Sequence, residues 1–152
     1  MTVPTKNLLH DSCAIARTLA VVGERWTLLI LRDAFLGATR FSQFRRSLGI
    51  APDVLTDRLA TLVTHGVLAR ETYREEGSRA REEYRLTDAG RELQVVLGAL
   101  QQWGDAHLPW PDGPTVLRCG PGGDPLHVGF VDDRGEQVDE VTFRPTTAYP
   151  GV

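Results

Sequence analysis

Ten residues in the middle of the chain could together form a nucleic-acid-binding surface. Arginine guanidinium groups bind phosphates and the edge of guanine, and hydroxyl or amide groups bond to phosphates and bases. The ten residues are Arg40, Ser42, Gln43, Arg45, Arg46, Pro52, Thr56, Arg58, Arg79 and Arg81. Acidic residues at positions 75, 76, 82 and 83 dilute the last two arginines. The pattern predicts a phosphate-binding surface if the fold places these residues on one side.

The charge distribution is compatible with this surface although the net charge of the chain is −3. Residues 111–152 contain seven Asp or Glu and three Arg, which leaves residues 1–110 with a net charge of about +1. Local clusters of arginine form an electrostatic footprint for phosphate even when the whole chain is acidic.

Residues 41–68 must position most of these side chains, and their spacing predicts two short helices with a turn between them. Phe41, Phe44 and Leu48 recur at helical spacing, and Gly49 follows directly as a helix stop. Pro52 suits the first turn of the next helix, which carries Leu55, Leu59 and Leu62 on its apolar side. A helix, a tight turn and a second helix with a polar outer face is typical of a helix-turn-helix. Asp53 and Asp57 on that face are best explained as complementing the helix dipole.

The segment after Gly66 changes to a strand pattern. Residues 67–73 and 83–86 are predicted to form a hairpin, with a polar loop at residues 75–81. A helix-turn-helix followed by a hairpin with a basic loop is a winged helix, in which Arg79 and Arg81 would contact the DNA backbone. The alternative for these two arginines is a solvated loop, and for Arg58 an ion pair inside the domain.

Three further helices are expected around this motif, at residues 12–22, 25–36 and 87–103. Apolar residues at helical spacing mark the first and last of them. The last helix has little chain left to cover its apolar side, so a two-fold dimer would bury it. The predicted dimer interface consists of Ile15, Leu19, Leu93, Val96, Leu97, Leu100 and Trp103.

A proline-rich boundary at residues 109–114 separates this domain, residues 1–108, from a C-terminal appendage at residues 115–152. Strands are expected at residues 115–118, 126–132 and 138–144, with a hairpin turn at residues 133–136. The appendage could bind a small effector, cover the dimer or stabilise the fold. Aromatic side chains that could line an effector pocket are Trp103, Trp110, Phe130 and Tyr149.

Other classes of function find no support in the residues. The two cysteines, Cys13 and Cys119, share no metal-binding spacing, and the four histidines form no ligand cluster. We therefore predict no metal, no cofactor and no enzymatic activity. No apolar run approaches the roughly 20 residues of a membrane-spanning helix, and no secretory signal is visible, so a cytoplasmic protein is expected.

The motifs together resemble the HxlR family of bacterial winged helix-turn-helix transcriptional regulators. The resemblance rests on GERWTLLILR at residues 23–32, RFSQF at residues 40–44, LGI at residues 48–50, GVL at residues 66–68 and YRLT at residues 84–87. It covers about residues 9–104. It implies a mainly helical fold with a small β-hairpin, a homodimer formed by the first and last helices, and binding of double-stranded DNA at a roughly palindromic operator.

The resemblance also marks Cys13 as a position where some members sense oxidants through the thiol. A small packed core residue is the alternative for Cys13. The competing function for the whole chain is a winged helix that mediates protein–protein assembly without sequence-specific DNA binding.

Overall fold

A computed structural model of the protein describes residues 7–146. After a short 3-10 helix at Leu8–His10, the elements are α1 (Ala14–Val22), α2 (Arg25–Phe35), α3 (Phe41–Leu48), α4 (Pro52–Thr64), β1 (Leu68–Tyr73), β2 (Arg81–Leu86), α5 (Asp88–Glu92), α6 (Gln94–His107), β3 (Phe130–Val131) and β4 (Gln137–Val138). The chain divides into two compact units: one contains the residues up to Glu92 together with Thr146, and the other spans Leu93–Pro145. The fold is therefore mainly helical with two small antiparallel hairpins, as expected for a winged helix-turn-helix with a β-containing appendage.

The core of the first unit lies between α2, α3, α4 and the start of β1. Its largest fully buried side chains are Thr27, Ile30, Leu31, Phe44, Leu55, Leu59, Leu62 and Leu68. The helical spacing of the apolar residues in α3 and α4 places them on the inner side of each helix, and this prediction is confirmed. Polar residues between them are thereby directed outward.

The turn between α3 and α4 follows the sequence signals. Gly49 ends α3 with a positive φ of 60°, a conformation that a side chain disfavours. Pro52 occupies the first position of α4, where its missing N–H costs no hydrogen bond. Ile50, buried between the two helices, anchors the turn.

The hairpin of β1 and β2, which we call the wing together with its loop at residues 74–80, pairs Leu68 with Leu86 at its base and Tyr73 with Arg81 at its end. A third segment joins this hairpin, because Arg40 forms an isolated antiparallel bridge with Glu83. The backbone N–H of Tyr84 donates to the carbonyl oxygen of Thr39 at 2.7 Å. The wing is thus attached to the residues that begin α3.

Several helix boundaries differ from the sequence expectation, including the end of the last helix, which extends to His107 and not to residue 103. The first helix begins at Ala14, because Asp11 accepts a hydrogen bond from the backbone N–H of Cys13 at 2.8 Å and holds the preceding residues in a turn. The continuous helix expected at residues 87–103 is interrupted at Leu93, which separates α5 from α6. α5 packs so closely on the chain after α4 that it belongs to the first unit, whereas α6 belongs to the second.

The second unit contains much less strand than expected. Around the predicted turn, residues 130–131 pair with residues 137–138, whereas residues 115–118 form no strand and are followed by an isolated bridge between Cys119 and Pro125. Side chains of α6 bond to this backbone instead. Gln102 donates to the carbonyl of Val128 and accepts from its N–H, each at 2.9 Å, and Gln101 donates to the carbonyl of Val116. Within residues 7–146, no helix is both long and apolar enough to cross a membrane.

Thr27 provides a test of packing in the first unit. Its side chain is buried, and its hydroxyl has no hydrogen-bond partner among the described residues. Because an unpaired buried hydroxyl carries a desolvation penalty, Thr27→Val should raise the free energy of unfolding by about 1 kcal/mol. Urea denaturation measures this. The matched control is Thr18→Val, because the exposed hydroxyl of Thr18 donates to the carbonyl oxygen of Ala14. A loss of stability in Thr27→Val alone would contradict the prediction.

Candidate nucleic-acid interface

The outer face of α4 carries the residues expected to contact bases. Thr56 is exposed, and its hydroxyl donates to the carbonyl oxygen of Pro52 at 2.8 Å, so the oxygen remains free to accept a bond. Arg58 is half-buried, and its Nε is buried without a partner among the described atoms. No intradomain ion pair of Arg58 is present in the described part of the chain. Asp53 and Asp57 are exposed on the same helix.

The outer face of α3 supplies positive charge beside α4. Ser42, Arg45 and Arg46 are exposed, and neither arginine has an ion-pair partner among residues 7–146. The side-chain oxygen of Gln43 accepts the backbone N–H groups of Thr39 and Arg40, at 2.9 and 2.8 Å. Gln43 therefore caps α3, and its amide NH₂ remains the group available to a ligand.

The arginines of the wing fall into two classes. Arg79 and Arg81 are exposed and have no ion-pair partner in the part of the chain that the structure describes. Arg70 and Arg85 are instead paired within the wing, with Glu82 at 3.6 Å and with Glu83 at 2.7 Å respectively. Arg74 of the wing loop also has no ion-pair partner among the described residues, but its Nε donates to the carbonyl oxygen of Ser78 at 3.1 Å. Arg79 and Arg81, the two arginines predicted from the sequence, therefore remain available for phosphate.

Arg85 lies between two acidic residues of the wing and reduces the repulsion between them. Glu71 and Glu83 lie directly opposite each other in the hairpin, and like charges in this arrangement destabilise the pairing of the strands. Arg85 bonds to Glu83 and lies 3.3 Å from Glu71, so it neutralises both. The hydrogen bond to Glu83 raises the pKa of Arg85, and burial raises the pKa of Tyr84 next to it. Arg85 is therefore part of the wing's structure.

Arg40 has an unexpected position among the predicted contact residues. Its guanidinium Nη2 lies 2.7 Å from the Oε1 of Glu75, and its Cζ lies 4.6 Å from the centroid of the Tyr73 ring. Both partners belong to the wing, whereas Arg40 immediately precedes α3. Arg40 is thus engaged with the wing in this structure.

Sequence reasoning missed Thr39, Tyr73 and Glu75 as members of this arrangement. Glu75 and Arg40 are 35 residues apart, so no periodicity connects them. Gln43 gave the one local signal, because Gln at the third position of a helix accepts hydrogen bonds from the backbone before it. That signal fixes the start of α3 but does not reveal the wing.

The residues predicted to form a dimer interface lie on two uncovered apolar surfaces. In the first unit, Ile15 and Leu19 of α1 are exposed, and Leu8 and Leu9 of the preceding turn are partly exposed. In the second unit, Leu100 is 52% and Trp103 59% exposed, with Val96 beside them on α6. Leu93 and Leu97 are half-buried.

α6 has two distinct faces within its own unit. The appendage occupies one, where Gln101, Gln102 and Asp105 bond to residues 116, 128 and 118. Gly98 lies on that face, and a Cβ there would come within 3.0 Å of Val128. Val96, Leu100 and Trp103 recur at i, i+4 and i+7 on the opposite face, which the appendage leaves uncovered.

The remaining candidate groups are dispersed. Cys13 is half-buried at the start of α1, and Cys119 is an exposed free thiol of the other unit. Among residues 7–146, no three His, Cys, Asp or Glu side chains come together as a metal site. Trp103, Trp110 and Phe130 are each more than half exposed, and Tyr149 lies outside the described residues.

A concavity of about 590 Å³ lies in the first unit between the end of α2, the wing and α5. Ala34, Ala38 and Ala69 contribute small apolar surfaces to it. Its two arginines, Arg85 and Arg91, already pair with neighbouring carboxylates. The concavity has the volume of a ligand site but no uncompensated charge that would select an anion.

Comparison with known proteins agrees with this architecture. The family model of the HxlR-like helix-turn-helix matches residues 21–111. An HTH-type transcriptional regulator of Mycobacterium tuberculosis is 44% identical over 146 residues, covering 91% of this chain and 85% of the regulator. Another, from Synechocystis, is 36% identical over 111 residues, covering 72% of this chain and 81% of its own.

Two solved structures are also similar to this chain, one over most of its length and the other over a shorter part. The transcription factor PA1607 is 38% identical with a TM-score of 0.79, covering 91% of this chain and 97% of PA1607. The redox regulator HypR in its reduced form is 30% identical with a TM-score of 0.58, covering 63% of this chain and 94% of HypR. The similarity to PA1607 thus extends over most of the chain, and that to HypR over a shorter part.

Proposed function

The chain belongs to the HxlR family of helix-turn-helix transcriptional regulators, and we propose on this premise that it acts as a homodimer on a roughly palindromic operator. In this proposal α4 enters the major groove of the DNA, and α3 contacts the adjacent DNA backbone. The wing contacts phosphates next to the groove. The observation that carries it is the distribution of arginines. Arg45, Arg46, Arg79 and Arg81 are exposed without ion-pair partners in the described chain, while Arg70 and Arg85 are paired inside the wing.

Base recognition is assigned to Thr56 and Arg58. Because the Thr56 hydroxyl donates to Pro52, it can only accept from a base, which favours the amino groups of adenine or cytosine, and its methyl can pack on thymine. Arg58 keeps its terminal NH groups for guanine or phosphate. Asp53 and Asp57 would repel the phosphates of the DNA backbone, so only part of the outer face of α4 takes part in recognition.

The dimer in the proposal buries the apolar surfaces of α1 and α6. Exposed Leu and Trp side chains at helical spacing on a terminal helix are typical of an interface. A two-fold axis would place two copies of α4 about 34–36 Å apart, matching successive major grooves. Regulation by Cys13 or by a small effector is not part of this proposal, because no contact in the described residues favours either.

Arg79→Ala tests the assignment to DNA. Removing one phosphate contact should weaken binding by a similar factor on every duplex and reduce the slope of log K against log salt by about one. Fluorescence anisotropy across a salt series measures both quantities. Arg134→Ala is the matched control, since it removes the same charge from the turn between β3 and β4 and should leave the slope unchanged.

The alternative function makes the opposite prediction for the wild type. A winged helix used only for protein assembly would show no salt-dependent affinity for duplex DNA. Wild-type binding that stays flat from low to moderate salt would therefore exclude the DNA proposal and favour assembly.

A further inference from the structure

We propose that Arg40 is a positioning residue, which fixes the wing relative to α3 and makes no phosphate contact of its own. This inference rests on the proposed DNA binding and assigns one of the ten predicted contact residues a different role. It starts from the wing, a hairpin of two six-residue strands. A two-stranded hairpin has little stability or fixed orientation without a further element against it.

The segment preceding α3 supplies that element at the edge of β2. Thr39 accepts a backbone hydrogen bond from Tyr84, and Arg40 forms a bridge with Glu83. Because Gln43 bonds to the N–H groups of Thr39 and Arg40, this segment is fixed to α3. The backbone of residue 40 therefore joins the first helix of the helix-turn-helix to the second strand of the wing.

The side chain of Arg40 extends the connection to the other end of the wing. Its guanidinium lies over the ring of Tyr73, the last residue of β1, and bonds to Glu75 in the wing loop. The planar guanidinium suits stacking on an aromatic ring and bonding to a carboxylate together, whereas an ammonium does not. Arg40 thus contacts Tyr73, which pairs with Arg81 in the hairpin, and Glu75, which lies in the same loop as Arg79.

Removal of Glu75 distinguishes a phosphate-contact role of Arg40 from a positioning role. The side chains of Arg40 and Glu75 are 41% and 53% exposed, so DNA phosphate could compete for the guanidinium. If Arg40 contacted phosphate, Glu75 would be a competing anion beside the DNA, and its removal would tighten binding. If Arg40 positions the wing, removal of Glu75 releases the wing and weakens binding. The two roles predict opposite signs for one substitution.

The test compares Arg40→Gln, Glu75→Gln and the double variant in the full-length protein by the same salt series. We expect each single variant to weaken DNA binding about threefold, the double variant to be no weaker than either, and the salt slope to stay at the wild-type value. Tighter binding by Glu75→Gln, or a slope reduced by about one in Arg40→Gln, would overturn the proposal. Arg79→Ala serves as the reference for a true phosphate contact.

Hydrogen exchange of the free protein separates this inference from the DNA proposal. Both single variants should accelerate exchange at wing amides, including that of Tyr84, while amides of α2 keep their wild-type rates. Unchanged exchange in the wing would reject the positioning role whatever the DNA result. Loss of salt-dependent DNA binding in the wild type, with accelerated wing exchange in the variants, would reject only the DNA function.

Discussion

If the proposed dimer forms, Leu100→Glu is expected to dissociate it into monomers and to weaken binding to the proposed operator by roughly a hundredfold or more. Leu100 lies at the centre of the uncovered face of α6, between Val96 and Trp103, and is itself 52% exposed. A carboxylate placed in the middle of an apolar interface would be desolvated without a partner on the other subunit. A monomer then binds each half-site separately and loses the effective concentration that links the two.

The substitution should spare the fold of the protomer, which makes the result interpretable. The appendage bonds to the opposite face of α6 through Gln101, Gln102 and Asp105, and Leu100 takes no part in those bonds. Circular dichroism should therefore be unchanged, while light scattering reports half the mass. Half-site DNA should be bound equally by both proteins.

Val95→Glu is the matched control on the same helix. Val95 is also exposed and apolar, but the helical period places it about 140° around the helix axis from Leu100. It should retain the wild-type mass and operator affinity. If both variants remain dimeric, the interface lies elsewhere; if both become monomeric, it is wider than the stripe of Val96, Leu100 and Trp103.

The parts of this fold that the sequence predicts are those set by local periodicity and by turn residues. The positions of Phe44, Leu55 and Leu59 in the core follow from helical spacing, and the end of α3 follows from Gly49. The hairpin after Gly66 also follows from its strand pattern and polar loop, although β2 begins at Arg81, two residues before the predicted start. These features depend on residues close in sequence, whose preferences agree with one another.

The parts that the sequence does not predict depend on contacts between distant residues. Glu75 could be recognised only as a charge that dilutes the arginines, since nothing local shows that it bonds to Arg40. In the appendage, side chains of α6 satisfy the backbone of residues 116 and 128, so a β-like composition does not produce the expected strands. The break at Leu93 has the same origin, because Gly90 fixes α5 to the chain after α4.

Gly90→Ala is the second change with a large expected effect, a loss of about 3 kcal/mol in the free energy of unfolding. A Cβ at position 90 would lie 2.1 Å from the carbonyl oxygen of Val67 and 3.2 Å from a methyl of Leu86. The first clash is with backbone, so no rotation of a side chain relieves it. α5 would have to move away from the chain that follows α4. Urea denaturation measures the loss.

The contacts around Gly90 explain why this loss should also affect the proposed DNA-binding surface. The Thr87 hydroxyl donates to the carbonyl of Gly66 and accepts from the N–H of Gly90, so it joins the chain leaving α4 to the start of α5. The Thr87 N–H donates to Val67 at the same point. An added methyl group separates the two segments that these bonds connect, and it shifts the end of α4 and the base of the wing together. DNA affinity should fall even at temperatures where Gly90→Ala remains folded.

A glycine without neighbours gives the control for this prediction. Gly129 does not have a positive φ, and a Cβ there would meet nothing within 4 Å. Gly129→Ala should therefore change stability by no more than about 0.5 kcal/mol and leave DNA affinity unchanged. Equal behaviour of the two variants would mean that α5 can move without cost. In that case the close contact between Gly90 and Val67 would not be what holds α5 against the chain after α4, and the break at Leu93 would need another cause.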